Sequence, residues 1–160
     1  SWSQIRSFGL AFLIFSMILI SIFGSLKIGL ISILPNTFPM LTVFGLMGWA
    51  ELKLNTTTLL TAPIIIGVAV DDTIHFLTHY RLSLIKGLSI GEAINSTLRE
   101  VGQAIFFTTL ILVSLFLCFI PVNHVGVSHF STLAVVAVIA ALIADLLLLP
   151  ALCRTFRVQV

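Results

Sequence analysis

The sequence predicts an all-α fold, a polytopic bundle of about five transmembrane helices with a short amphipathic helix on the cytoplasmic side. Of its 160 residues, 59% are hydrophobic and 9% are charged, and the mean hydropathy is +1.20. A soluble globular domain carries about 25% charged residues. Because a water-soluble fold could not cover so apolar a surface, we expect the bilayer to be the solvent. The net charge of +2 is too small to indicate a nucleic-acid partner.

Five apolar runs follow one another along the chain, each close to or above the roughly 20 residues that a spanning helix needs. They cover residues 8–25, 29–50, 56–80, 101–120 and 128–153. The chain enters the first run without an initiator Met or a signal-peptide pattern. We therefore expect a single transmembrane domain that is a piece of a longer protein.

The longest polar stretch, residues 81–100, separates the third run from the fourth. Within it, Ser89 and Glu92 have the spacing of a capping box. Ile94, Leu98 and Val101 follow at the spacing of one helical face. This pattern predicts a short amphipathic helix lying on the membrane surface. An ordinary connector helix is the alternative.

Lysine and arginine indicate the orientation, because cytoplasmic loops are enriched in them. With five spans, six of the eight Lys and Arg residues fall on one side of the membrane. They are Lys27, Arg81, Lys86, Arg99, Arg154 and Arg157, whereas Arg6 and Lys53 fall on the other side. The sequence therefore predicts a multi-pass protein of the cytoplasmic (inner) membrane, with the N-terminus outside and the C-terminus in the cytoplasm.

Three of the six acidic residues lie inside apolar runs, namely Asp71, Asp72 and Asp145. A charged side chain at the bilayer centre costs at least about 2.5 kcal/mol even on insertion scales, so such residues are functional candidates. The runs contain no Lys or Arg to neutralise them. A carboxyl group in these surroundings is expected to take up and release a proton near neutral pH.

The depth of these groups follows from counting along each helix from the nearest cytoplasmic Lys or Arg. Asn36, Asp72, Thr108 and Asp145 each lie nine residues from such a marker, which is roughly 13 Å along a helix axis. The hydrocarbon core is about 30 Å thick. Four helices are therefore predicted to present a polar group near the midplane.

The third run carries a polar stripe, because Gly67, Asp71, His75 and His79 recur every fourth residue and share one helical face. Gly67 is expected to let a neighbouring helix approach closely. Either aspartate of the pair can meet His75, which would stabilise the ionised form or pass the proton on. His79, two residues before Arg81, is expected at the membrane interface.

The sequence thus predicts a proton relay with helix-packing residues beside it. Its members are Asp71, Asp72, His75, Thr108 and Asp145, with Gly67 and Asn36 in the packing around them. Thr108 and its neighbour Thr109 would donate to a carboxylate. The alternatives are that the threonines and Asp145 only join helices, and that Asn36 satisfies backbone groups freed by Pro35 and Pro39.

Residues 67–76, Gly-Val-Ala-Val-Asp-Asp-Thr-Ile-His-Phe, followed by Tyr80 and Arg81, resemble a known family. The resemblance is to the aspartate-bearing fourth helix of the resistance–nodulation–division (RND) superfamily. It is strongest to the MMPL branch of that superfamily and to the related sterol-sensing-domain proteins. Leu34-Pro35-Asn36 and the stretch 144–151, Ala-Asp-Leu-Leu-Leu-Leu-Pro-Ala, agree with it. The resemblance covers nearly the whole chain.

The resemblance implies that the chain is helices two to six of one of two six-helix halves. It implies proton-driven export of lipids, drugs or other hydrophobic molecules, with Asp71 and Asp72 as proton carriers. Drug-exporting relatives place a lysine on a neighbouring helix, but this chain has none in its runs, so His75 or the other half would supply the cation.

The expected partners follow from the same resemblance. They are membrane lipid, a hydrophobic or lipid substrate, and the other half and extracytoplasmic domain of the parent protein, with a second copy of the chain as a further candidate. The proton is the coupling ion, and we expect no other cofactor, no bound metal, no nucleic acid and no enzymatic activity.

Three other functions stay open at this point. A sterol-sensing-like module would bind lipid and regulate without pumping. A divalent-metal transporter would use Asp71, His75 and His79, with Asp145 joining as a further ligand. An intramembrane aspartyl protease would pair Asp71 with Asp145, although Ala69 stands where such proteases have a glycine.

Overall fold

Helices make up all the regular structure in the part of the chain that the structure describes, and no β-strand occurs there. The structure is a computed structural model that describes residues 6, 10, 13, 14, 16–21, 26–51 and 61–157. The main helices are α1 (Leu26–Trp49), α2 (Thr61–Ile85), α3 (Ile90–Phe119) and α4 (Val125–Ile143), and a π-helical segment (Ala144–Leu148) joins α4 to α5 (Leu149–Thr155). The predicted all-α class is confirmed.

Among the described residues, three helical stretches are long and apolar enough to cross a membrane, namely Lys27–Trp49, Ile90–Phe119 and Val125–Thr155. The helix α2 has 25 residues, or about 37 Å at 1.5 Å per residue, but its aspartates and histidines make it more polar. The predicted first run, residues 8–25, lies largely outside the described residues, within which 16–21 are helical.

The helix α3 begins at the predicted capping box. The Ser89 hydroxyl accepts from the Glu92 backbone N–H at 3.4 Å, and the Glu92 carboxylate accepts from the Ser89 backbone N–H at 2.9 Å. From there one helix of 30 residues continues to Phe119. The amphipathic helix and the fourth span are therefore a single element, because Ala93 and Ile94 are buried in the bundle core and hold the first turns in line.

The helices α2 and α4 each contact the other three main helices, and α4 does so through small side chains. Its buried face consists largely of small side chains, namely Ser131, Ala134, Ala137, Ala140 and Ala141. Small residues allow transmembrane helices to approach closely. This face continues directly into the π-helical segment, so Asp145 is carried into the interior of the bundle.

The π-helical segment has a local cause in Pro150. Proline has no N–H to donate to the carbonyl of Leu146, and its ring clashes with that carbonyl in a regular α-helix. The backbone instead forms a wider turn, in which the Leu149 N–H donates to the Ala144 carbonyl. Such π-bulges often occur at functional sites.

Candidate functional site

The two adjacent aspartates of α2 lie on different faces of the helix. Asp72 is 9% exposed and the following Thr73 is fully buried, whereas the side chains of Asp71 and His75 are 74% and 69% exposed. Residues two apart on a helix point about 200° apart, so Asp71 and Thr73 face opposite sides. The pair therefore places one carboxylate toward the bundle and one away from it.

A chain of hydrogen bonds joins three helical elements at the level of Asp145. The Thr73 hydroxyl donates to Asp145 Oδ1 at 2.6 Å, and Asn36 Nδ2 donates to Thr73 Oγ1 at 3.3 Å. A threonine hydroxyl has one proton, so Thr73 accepts from Asn36 while it donates to Asp145. Asp145 is 1% exposed, and this chain fixes it between α1, α2 and the π-helical segment.

Asn36 has a second role within α1. Its Nδ2 also donates to the Ser32 carbonyl at 2.7 Å, one turn earlier. The side chain thus serves the backbone of a helix that contains Pro35 and Pro39 and also reaches the neighbouring helix. The bond to Thr73 fits the helix-packing interpretation of Asn36. The carbonyls that Pro35 and Pro39 leave without a donor are those of Ile31 and Pro35, so the bond to the Ser32 carbonyl does not satisfy them.

Asp72 stands between the exposed and the buried groups. Its carboxyl is close enough to Asp71 and His75 to interact with them electrostatically, and it interacts in the same way with Asp145. Asp72 thus lies between the stripe on the outer face of α2 and the hydrogen-bonded chain on the inner face.

A groove of about 620 Å³ runs between α2 and α3. Its lining contains Gly67, Asp71, Asp72 and Thr108, together with Val68, Ile111 and Leu112. The groove brings the two aspartates to a space that water or ions could occupy, while Asp72 also reaches inward.

Two of the predicted groups take other positions than expected. The Thr108 hydroxyl donates to the Ile105 carbonyl at 2.9 Å, within its own helix, so its proton is not offered to a carboxylate. Among the described residues, no atom lies within 4 Å of a Cβ built on Gly67. The expected close helix approach is thus not found there, and the missing side chain widens the groove instead.

The two histidines of the stripe have separate carboxylate partners. His75 Nε2 lies 3.5 Å from Asp71 Oδ1. His79 Nε2 lies 2.9 Å from Glu100 Oε2 of α3, and its Nδ1 lies 3.2 Å from Thr97 Oγ1. His79 was expected only at the interface, but it connects α2 to α3.

The hydrogen bonding around His79 fixes the role of one ring nitrogen. The Thr97 hydroxyl already donates to the Ala93 carbonyl at 2.8 Å, so toward His79 it can only accept, and Nδ1 is the donor of that contact. Nε2 faces the Glu100 carboxylate at 2.9 Å. The ring of His79 thus bridges a hydroxyl and a carboxylate of α3.

Sequence reasoning missed Thr73, Thr97 and Glu100. Thr73 follows the aspartate pair directly and lies on the face of α2 that carries Phe76 and Tyr80, both buried. That apolar spacing at i, i+3 and i+7 was the available signal for an inward position. The sequence interpretation instead followed the polar stripe on the opposite face of α2.

The positions of the aspartates and histidines argue against the protease and the metal-transporter alternatives. Asp145 bonds to Thr73, on the face of α2 opposite to Asp71, so those two aspartates do not form a dyad. Within the described part of the chain, no group of three or more His, Cys, Asp and Glu side chains is arranged to hold a metal ion. His75 and His79, which the metal hypothesis needs together, face different carboxylates.

Comparison with known proteins places this geometry in context. A model described as MMPL family matches residues 3–156. The hopanoid transporter HpnN of Burkholderia multivorans is 30% identical over 126 residues, covering 78% of this chain and 14% of that protein. The putative membrane protein MJ1562 of Methanocaldococcus jannaschii is 26% identical over 136 residues, covering 85% of this chain and 35% of that protein.

A third relative is the probable transport protein MmpL11 of Mycobacterium leprae. It is 23% identical over 143 residues, covering 88% of this chain and 14% of that protein. The chain therefore spans between 14% and 35% of the length of these curated relatives.

Proposed function

The chain belongs to the MMPL family, and from that membership we propose that it forms the membrane part of one half of a transporter driven by the proton gradient. The substrates would be lipids or other hydrophobic molecules, moved out of the cytoplasmic membrane. The family match confirms the resemblance predicted from the aspartate-bearing helix. One relative is by name a hopanoid transporter, which supports a lipid-like substrate class.

The observation that carries the proposal is the position of Asp72. It lines the groove between α2 and α3 and interacts with buried Asp145. A proton that enters the groove would reach Asp71 and Asp72 first, and Asp145 would sense the resulting change of charge. Proton uptake on one face of α2 would thereby act on the helix packing at the other face.

Asp145 is suited to act as the switch. An ionised carboxylate only accepts hydrogen bonds, whereas the neutral acid also has a proton to donate. Burial makes an unpaired charge costly, so the charge state would select between two packings of the π-helical segment against α2.

The cytoplasmic branch of the relay would follow the stripe of α2. His75 contacts Asp71, and His79 lies one turn further toward the helix end, where it pairs with Glu100. Imidazole groups titrate in the physiological range and pass protons between partners. The His79–Glu100 pair would then be the group that exchanges the proton with the cytoplasm. This assignment goes with an orientation in which the N-terminus of the chain lies outside.

The exposed polar residues on the outer face of α2 support the proposal that another part of the protein covers this face. Charged and polar groups in transmembrane helices turn toward protein or a water-filled cavity, yet Asp71 and His75 are mostly exposed here. We propose that the other half of the parent protein covers this face, and that an extracytoplasmic domain selects the substrate.

The test is proton-driven transport by the full-length parent in vesicles with an imposed pH gradient. Asp72→Asn and Asp145→Asn should each lower transport roughly a hundredfold, the scale of a lost proton-transfer group. Thr132→Val is the matched control, because its exposed hydroxyl bonds only to the Ser128 carbonyl of its own helix. Unchanged transport in both well-folded aspartate variants would reject Asp72 and Asp145 as proton carriers, whereas no proton-driven transport by the unaltered protein would favour the lipid-binding regulatory module.

A further inference from the structure

A second cavity, of about 510 Å³, lies at the end of the bundle where α3 begins and α5 ends. We place this end in the cytoplasm. The cavity is remote from the aspartates and is lined by Ile90, Gly91, Ile94 and Asn95 of α3 and by Arg154 and Arg157. Two guanidinium groups thus share one cavity with an amide and two isoleucines.

The two arginines have no anionic partner within the described residues, where neither ion pair involves them. The acidic residue nearest to the cavity along α3 is Glu92, whose carboxylate accepts from the Ser89 backbone N–H at 2.9 Å and from its hydroxyl at 2.7 Å. Those hydrogen bonds lower the pKa of Glu92 and engage it in the cap. The lining of the cavity therefore carries two positive charges and no negative one.

The backbone of Arg157 has an unusual conformation for a residue with a side chain. Arg157 has φ of 44°, in the left-handed region, just after the end of α5. Helix ends of this kind usually carry glycine, because a side chain there is strained. Arg157 takes this strained conformation next to a cavity that a second arginine also lines, which indicates a functional role for its side chain.

The chemistry of the lining defines the ligand. Guanidinium groups bind phosphate oxygens with paired hydrogen bonds, and the Asn95 amide adds donors. The first-turn amides of α3, at Ile90 and Gly91, have no partner within the helix. The side chains of Ile90 and Ile94 make part of the wall apolar, which suits the glycerol and first methylenes of a lipid rather than a hydrated ion.

From these observations we propose that this cavity binds the phosphate headgroup of an anionic phospholipid from the adjacent leaflet. Basic pockets between transmembrane helices at the cytoplasmic side bind such headgroups. The bound lipid would hold the start of α3 to the end of α5. The site rests on the membrane placement of the chain and not on proton coupling, so its test needs no proton gradient.

The experiment measures binding of a fluorescent phosphatidylglycerol to the purified full-length parent in detergent. Unlabelled phosphatidylglycerol should displace the probe, while phosphatidylcholine and inorganic phosphate at the same concentration should not. Arg154→Gln and Arg157→Gln should each weaken binding about fivefold, the effect of one basic residue near an anionic surface. Arg154→Lys keeps the charge and should weaken binding less.

Arg99→Gln is the matched control, because Arg99 is an exposed arginine of α3 that does not line the cavity. Its affinity should equal that of the unaltered protein. Equal affinities for the double Arg154→Gln, Arg157→Gln variant and the control would overturn the site. Displacement by inorganic phosphate as effective as by phosphatidylglycerol would show a free-phosphate site, and equal displacement by phosphatidylcholine would show apolar contact only; either result overturns the lipid proposal.

Discussion

The Thr73 hydroxyl donates to the Asp145 carboxylate across 2.6 Å, and this bond ties the middle of α2 to the π-helical segment that follows α4. Both residues are buried, so the bond is formed where water does not compete. Asn36 completes the connection from α1 by donating to the oxygen of Thr73. Three helical elements thus meet at a single hydroxyl group, and the strength of that junction can be measured.

Replacement of Thr73 by valine should destabilise the bundle by about 1–3 kcal/mol, because it leaves buried hydrogen-bonding groups of Asp145 and Asn36 without a partner. Thr42→Val is the control, since the Thr42 hydroxyl bonds only to the Phe38 carbonyl of its own helix. The measurement is unfolding of the full-length protein in mixed micelles. Equal unfolding free energies for the two variants would show that the junction contributes nothing.

Replacement of Asp145 by asparagine should separate stability from function. Asparagine has nearly the same shape and its carbonyl can still accept from Thr73, while the cost of burying a charge disappears. We expect unfolding free energy to be unchanged or higher, and proton-driven transport to be lost. A strongly destabilised Asp145→Asn protein would contradict this, because it would make the carboxylate a structural requirement.

Nδ1 of His79 should be the ring nitrogen that donates to Thr97. The reason is geometric, since the Thr97 hydroxyl already donates to the Ala93 carbonyl and can only accept from the ring. Nitrogen chemical shifts of labelled histidine report the state of each ring nitrogen directly, and we expect Nδ1 to carry a proton. Thr97→Val removes this acceptor and should change the Nδ1 shift. An identical Nδ1 shift in that variant would reject the contact.

The parts of this molecule that sequence predicts are those with local causes. The start of α3 follows from Ser89 and Glu92, which are three residues apart, and the three described stretches that are long enough to cross a membrane follow from their apolar composition. The division of the aspartate pair could be anticipated only by weighing Thr73 with Phe76 and Tyr80. The widened turn at Asp145 depends on how Pro150 is accommodated within a packed bundle, and hydropathy carries no signal for that.

The cap of α3 should weaken in acid. Hydrogen bonds from Ser89 lower the pKa of Glu92 from its ordinary value of 4.5, so the folded cap favours the ionised form. The stabilisation is therefore present above pH 4.5 and is lost as the pH falls through the lower pKa of the folded state. Amide exchange protection at Glu92 and Ala93 should fall below that pH, and Glu92→Gln should remove this dependence. The same pH dependence of protection in the unaltered protein and in Glu92→Gln would contradict the coupling.

Two glycine substitutions should have opposite effects on stability. Gly67→Ala places its methyl group in the groove, where no described atom lies within 4 Å, and alanine is favoured over glycine in a helix by up to about 1 kcal/mol. Gly29→Ala puts a methyl group onto the side chain of Ile20, which must shift, so we expect it to destabilise the bundle. Unfolding of both variants in micelles checks the difference. If Gly67→Ala is the more destabilising of the two, then Gly67 is packed against part of the molecule in the full-length protein, and the groove at Asp71 and Asp72 is narrower there than in this chain.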